Sequence, residues 1–407
     1  MKAVALAGGL LCALALWAAP ARAQEHLGGD GALSPDGSLL AFVQQGRPQG
    51  EFLVLEIASG RSFRFVMSAP LADVRHLSWA PASNTLVFTS LDNGVVSGAA
   101  MFAANPRASA IWSVDFTAEG PQPAKELARG EELQTPALSP DGSKLAYFEV
   151  VRLPKDSPER RVIPPMAAFG LFEADLQTGA AVRVAAVQYK FPRELYYDGA
   201  DAWLINVDEA AYPTEIRGSQ FWSATRPGAP GGAGSFDQLT GGIKSFRVKR
   251  GDTLPVYPAS FETYPAMGVA PLKSRLVGVT SAGEPILYGA PGPENTAANQ
   301  ERNTASWYVQ GITRVPMKEG YIAYRRDGAP EIYYPPPHPE RYASITGGWG
   351  VDGAMKRFFS IRMTPYPTPD DFGLTTSRLF LYEGQSLLLE RDVTDIIMKA
   401  EKVVIGD

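Results

Sequence analysis

The sequence predicts an all-β fold, a β-propeller of four-stranded blades, on three observations. A turn-and-strand string occurs twice almost unchanged, as Ala32-Leu33-Ser34-Pro35-Asp36-Gly37-Ser38-Leu39-Leu40-Ala41 and Ala137-Leu138-Ser139-Pro140-Asp141-Gly142-Ser143-Lys144-Leu145-Ala146. A looser echo, Leu77-Ser78-Trp79-Ala80-Pro81-Ala82-Ser83-Asn84-Thr85-Leu86, lies between them. Finally, the 407 residues include 40 Gly and 34 Pro, above ordinary usage for both, as a chain with many tight turns requires.

Each part of the string has a mechanical role. Pro35 and Pro140 preset φ near −65° at the first corner of a turn, Asp36 and Asp141 bond their own backbone, and Gly37 and Gly142 accept the left-handed conformation that closes it. The residues that follow, such as Leu145 to Val151, are rich in β-branched and aromatic types and long enough for one strand. Ser34, Ser78 and Ser139 are about 44 and about 61 residues apart. The first interval matches one four-stranded blade, and the second a blade lengthened by the Ala/Gly/Ser-rich run from Gly94 to Ala110.

The repeat resembles that of the TolB-like β-propellers, in which Ser-Pro-Asp-Gly precedes the inner hairpin of a blade. The match is close in the two full copies and decays after about residue 150. The resemblance implies a propeller of the bacterial periplasm or beyond. The TolB protein itself carries an α/β domain ahead of its propeller. Here the first repeat begins at Ala32, which leaves no room for one and argues against a strict TolB role.

Residues 1–23 read as a secretory signal: Lys2 is the positive start, Ala3 to Ala19 the apolar run, and Ala21-Arg22-Ala23 the small-x-small cleavage site, with Gln24 opening the mature chain. Losing Lys2 and Arg22 moves the formal net charge of −5 down by a further two. The same cut removes Cys12, the only cysteine, and with it any disulfide, thiolate metal site or cysteine nucleophile. An acidic chain without a basic cluster argues against nucleic acid, and nothing after residue 23 is long and apolar enough to span a bilayer.

Residues 24–407 are then expected to form one propeller domain of about seven blades, within a range of six to eight. Strand–turn–strand signals recur at Phe52 to Val66, Ile111 to Phe116 and Leu171 to Leu176, where Trp112 and Phe172 read as packing between blades. Further turns are marked by Asp198-Gly199, Asp352-Gly353 and Glu383-Gly384, and a hairpin by the strands flanking Asp327-Gly328. The last blade or closing segment falls at about 340–407, with Asp392 to Lys402 as a short helix or the closing strand.

Catalytic motifs are scarce. Of the three histidines, His26 lies in the lead and His76 reads as structural. His338 stands in the rigid segment Pro335-Pro336-Pro337-His338-Pro339. There is no Gly-x-Ser-x-Gly elbow and no metal-ligand spacing, so no catalytic residue, metal or cofactor is assigned. The acidic pairs Glu131-Glu132, Asp208-Glu209 and Asp370-Asp371 read as solvated loop residues.

Two function classes follow. One is a non-catalytic periplasmic or secreted propeller that binds a protein partner or cell-envelope ligand through its face, funnel or inserted loops. The other is a lyase or hydrolase acting on carbohydrate or peptide, with its site assembled in the funnel. For the first class, the binding candidates are Arg160 and Arg161 in the Lys155 to Pro165 insertion, and Tyr334, His338 and Arg341 on the proline frame. Tyrosine and arginine are favoured at binding hot spots.

Overall fold

The computed structural model describes residues 31–43, 50–68, 71, 73–92, 107–151, 168–187, 192–208, 243–251, 275–280, 285–289, 320–323, 331–333, 346–363 and 377–406. Among them the chain forms six sheets in sequence order.

The first sheet contains β1 (Gly31–Leu33), β2 (Leu39–Phe42), β3 (Glu51–Glu56) and β4 (Ser62–Met67). The second contains β5 (Asp73–Trp79), β6 (Thr85–Leu91) and β7 (Ala108–Thr117), with β8 (Gly120–Pro121) and β9 (Lys125–Glu131) both pairing with β7. The third contains β10 (Gln134–Leu138), β11 (Lys144–Val151), β12 (Ala168–Asp175) and β13 (Ala181–Val187). The fourth shows β14 (Pro192–Tyr197), β15 (Ala202–Asp208) and β16 (Ile243–Lys249). The fifth contains β17 (Arg275–Val279), β18 (Pro285–Gly289), β19 (Gly320–Ala323) and β20 (Glu331–Tyr333). The sixth contains β21 (Thr346–Val351), β22 (Arg357–Met363), β23 (Ser377–Glu383) and β24 (Ser386–Asp392). A helix, α1 (Val393–Lys399), and a last strand, β25 (Glu401–Ile405), follow.

Each sheet is an antiparallel meander, and the first strands form the hub. β1, β5, β10 and β14 contact one another in that order, and β17 meets β21, which returns to β1. The fourth and fifth sheets meet where β15 and β16 touch β17. Among the described residues six sheets are present, at the low end of the six to eight expected from chain length and blade length.

The core lies between sheets rather than within one. Phe52, Phe65, Phe88 and Trp112 join the first two sheets, with the Phe52 and Phe65 rings stacked 4.6 Å apart. Leu145, Tyr147 and Val87 join the second and third. Phe148, Leu171, Trp203 and Val248 join the third and fourth, and Phe42, Leu53, Phe359 and Leu381 the first and sixth. Since both faces of a sheet are covered, strands such as β2 and β6 are buried almost continuously instead of alternating.

Closure uses the C-terminal elements. Asp392 caps α1 by accepting from the Thr394 N–H at 2.8 Å, and the helix buries Val393, Ile396 and Ile397 beside the first and sixth sheets. β25 then adds to β4 in parallel, Glu401 opposite Phe63 and Ile405 opposite Met67. The Ser62 hydroxyl donates to the Ile396 carbonyl (3.0 Å), and the Ser68 hydroxyl to the Gly406 carbonyl (2.6 Å). The segment expected to be either helix or strand is one followed by the other.

Candidate functional site

The meander divides the connections between two faces of the ring. On one face lie the turns from first to second strand, built alike in two sheets. The Ser34 hydroxyl donates to Asp36 Oδ1 (2.6 Å) and accepts from the Leu39 N–H (2.9 Å), while Asp36 Oδ1 also accepts from the Ser38 N–H (2.9 Å). Ser139, Asp141, Ser143 and Lys144 repeat these bonds at 2.6, 3.1 and 2.9 Å. Gly37 and Gly142 sit at φ 68° and 72°.

Burial pushes the Asp36 carboxyl up, but hydrogen bonds from Ser34, Asn84 and Ser38 outweigh it and hold the group at about 2. Bonds from Ser139 and Ser143 hold Asp141 at about 2 as well. The turns are also linked to one another. Asn84 Nδ2 donates to Asp36 Oδ2 (3.0 Å), and Arg357 Nη1 donates to the Gly37 carbonyl (2.6 Å).

The middle echo is shifted by two residues from the sequence alignment. Trp79 opposes Leu86 as Leu33 opposes Leu40, so Ala80 rather than Ser78 stands at the place of Ser34. Its N–H donates to the Thr85 carbonyl at 2.8 Å, as that of Ser34 does to Leu39 at 2.8 Å. Asp198, Thr280 and Asp352 fill the same place in the other three sheets, and all six residues are buried. Asp352 Oδ1 accepts from the N–H groups of Lys356 and Arg357, the latter at 3.1 Å, doing there what the Ser34 hydroxyl does.

On the opposite face the second strands end and the first and third strands begin. At its base in the second sheet is a buried ion network. Arg107 donates to Glu132 through Nε (2.8 Å) and Nη2 (3.2 Å) and to Asp73 through Nη1 (3.1 Å); Arg75 also reaches Asp73, at 2.7 Å. Glu132 is 0% exposed and sits at φ 50°, so the solvated reading of Glu131-Glu132 fails at this residue, because the Arg107 fork takes both carboxylate oxygens. Burial alone would lower the Arg107 pKa; the Glu132 bonds and charge raise it instead.

Between the faces, all six first strands enclose a cavity of about 150 Å³. Five of them carry a register shift, β5 between Arg75 and Ser78 and β10 between Gln134 and Ala137 among them. His76 (φ 56°) and Thr135 (φ 48°) stand at equivalent places in the second and third sheets, each three residues before the strand end. His76, read from the sequence as structural, lines the cavity wall. So do Thr135, whose buried Oγ1 has no hydrogen-bond partner, and Glu194. A bulge has no signature beyond local strain, which is why Thr135 and Glu194 were missed.

Arg160, Arg161, Tyr334, His338 and Arg341 lie outside the described residues, as do residues 1–23 and both Asp370 and Asp371. Among the described residues there is no group of three metal-ligating side chains, and no helix long and apolar enough to cross a membrane.

No family model and no curated protein matches the chain. Solved structures do resemble it. TolB from Acinetobacter baumannii is 10% identical with a TM-score of 0.40, over 88% of this chain and 64% of that one, so the alignment spans under two thirds of that TolB. A putative TolB from Agrobacterium tumefaciens is 11% identical with a TM-score of 0.31, over 90% of this chain and 82% of that one. The β-propeller domain of the Trilobed protease from Pyrococcus furiosus is 11% identical with a TM-score of 0.33, over 79% and 71%. The chain is a β-propeller. At these identities the likeness concerns the fold, and the propeller's function has to be argued from its own residues.

Proposed function

We propose that the protein is a non-catalytic, exported propeller that binds a protein partner or cell-envelope ligand through the face opposite the repeat turns. The observation that carries this reading is the asymmetry of the ring. First-to-second-strand turns are as short as Ser34 to Ser38 and Ser139 to Ser143. The intervals between second and third strands are longer, at 92–107, 152–167, 209–242 and 290–319. Blades are committed to packing their neighbours, so variable chemistry collects in such connections. In sequence, Lys155 to Pro165 falls between β11 and β12, a second-to-third-strand interval, and Tyr334 to Arg341 falls between β20 and β21, an interval from one sheet to the next.

Among the described residues the cavity wall is mixed, with His76, Glu194 and Tyr196 beside apolar residues and no Arg or Lys. Export rests on the charged start, the apolar run and Ala21-Arg22-Ala23, and N-terminal sequencing of the exported protein is expected to begin at Gln24.

A photo-crosslinking residue placed in turn at Arg161, Tyr334, Ser83 and Ser143 tests the binding face in cells. Adducts are expected from the first two and not from the last two, and deletion of 155–165 together with Tyr334→Ala/Arg341→Ala is expected to abolish them. Equal adducts from both faces, or adducts from Ser83 and Ser143 alone, overturn the assignment.

A further inference from the structure

We infer that the outer edge of β25 is a docking site for an extended, acidic segment of a partner protein, which adds to the first sheet as a further strand. β25 ends the strand order of that sheet, with β4 on one side and no strand on the other among the described residues. The Ile405 carbonyl accepts from the Ser68 N–H at 3.0 Å, so Ile405 faces β4. Along a paired strand the residues alternate, bonding inward and then outward. Lys402 and Val404 therefore direct their backbone N–H and C=O groups away from the sheet.

Exposed edges are ordinarily guarded by bulges, prolines, charges or a covering element. β25 has no register shift against β4 and no proline, and three of its five residues are β-branched. Val404 is 46% exposed, and the one charge among the outward-bonding residues is Lys402. A straight edge of this kind suits strand addition, in which main-chain bonds give affinity and alternate side chains give specificity.

Charge selects the occupant. Lys402 stands directly opposite Arg64, and like charges in such a place are destabilising. Neither has an ion-pair partner among the described residues. The acids of the same sheet do not offset them: Glu401 lies on the other face and reaches Arg61 at 3.7 Å, and Glu51, diagonal to Arg64 across β3, makes no ion pair. The helix α1 adds one acid, Asp395, and one base, Lys399. A carboxylate opposite Lys402 on an added strand meets the charge left open, and an apolar residue two places along meets Val404. A second copy fits less well. Antiparallel pairing of two β25 strands about Val403 sets Lys402 against Val404 and Glu401 against Ile405, and pairing about Lys402 sets that lysine against itself.

Fluorescence anisotropy of the intact protein with labelled Ser-Thr-Val-Thr-Glu-Thr-Ser, and with the same peptide carrying Lys for Glu, tests this. The acidic peptide is expected to bind about tenfold more tightly, the swing between an attractive and a repulsive cross-strand pair. Lys402→Glu, which sets an opposite charge beside Arg64 and so spares the fold, should reverse the preference. Val404→Pro should abolish binding of both peptides yet keep the melting temperature, since the N–H it removes points outward. Hydrogen exchange at the Lys402 and Val404 amides should slow with the acidic peptide, while the Val403 and Ile405 amides, which face β4, are protected throughout.

The proposal stands apart from the face-binding reading, whose adducts at Arg161 and Tyr334 are read elsewhere on the ring. No binding of the acidic peptide, equal affinity for the two peptides, an unchanged preference in Lys402→Glu, or no slowing at the Lys402 and Val404 amides overturns it. So does a concentration-dependent dimer in sedimentation that Val404→Pro dissolves, which would assign the edge to a second copy of the chain.

Discussion

Replacing Gly142 and Gly37 by alanine separates the intrinsic cost of the repeat turn from the cost of its setting. Both glycines hold φ near +70°. A Cβ in the left-handed region costs about 1–2 kcal/mol. At Gly142 a Cβ would meet nothing within 4 Å, so Gly142→Ala is expected to lose about 1 kcal/mol and a β-branched residue somewhat more. At Gly37 the added carbon would lie 3.0 Å from both Arg357 Cδ and Asp352 Oδ2. If Arg357 yields, its 2.6 Å bond to the Gly37 carbonyl is lost. Hydrogen bonds to charged groups net about 1.5–3 kcal/mol, so Gly37→Ala should cost about 2.5–4 kcal/mol in all. Urea unfolding of both single variants, of Arg357→Ala and of Gly37→Ala/Arg357→Ala reads this directly. The double variant should fall short of additivity by about 1 kcal/mol or more. Equal losses at the two glycines, or strict additivity with Arg357, would show that the first and sixth sheets are not locked through this turn.

Three further outcomes are expected. Arg107→Ala, which strands Glu132 and Asp73 in a buried site, should cost about 3–5 kcal/mol, while Arg107→Met/Glu132→Met should recover most of it by thermal unfolding. Asp36 and Asp141, both depressed to about 2, contribute stability that is complete above the ordinary aspartate value and is lost as pH falls from about 4 through 2. At Asp36 the full shift would correspond to about 2.4 kcal/mol, which solvent screening at this exposed side chain reduces to about 1 kcal/mol or less; Asp36→Asn/Asp141→Asn should flatten the acid limb of a melting-temperature profile. Ser139→Ala should cost only about 1 kcal/mol, since the second sheet already carries Ala80 at that place, and a larger loss in urea unfolding would show that the hydroxyl is not interchangeable.

The blades were legible where sequence and backbone requirement are tied one to one. Gly37 and Gly142 are such places, because a left-handed turn closed by Asp36 or Asp141 leaves few alternatives to Pro-Asp-Gly. The remaining repeats were hidden because the place after each first strand asks only for a small or oxygen-bearing residue that tolerates burial. Ala80, Asp198, Thr280 and Asp352 all meet that demand without resembling Ser34. In the sixth sheet even the glycine place is taken by Met355, at φ 55°.

The cavity residues were unreadable for a different reason. His76, Thr135 and Glu194 are 59 residues apart in each step and acquire a common level only once the ring has closed. Glu132 illustrates the same limit, since its partner Arg107 lies across a strand pair and not beside it in the chain.

The parallel seam between β25 and β4 sets an order of events during synthesis. The outer edge of the first sheet is laid down within the first 67 residues, yet the strand that covers it is the last of the described strands to be made. Until then β4 presents unsatisfied backbone groups, an open template for a neighbouring chain. The β4 edge is thus covered only once β25 has been made. A frameshift or stop that removes only residues 401–407 should leave every blade intact in sequence and the product prone to join edge to edge.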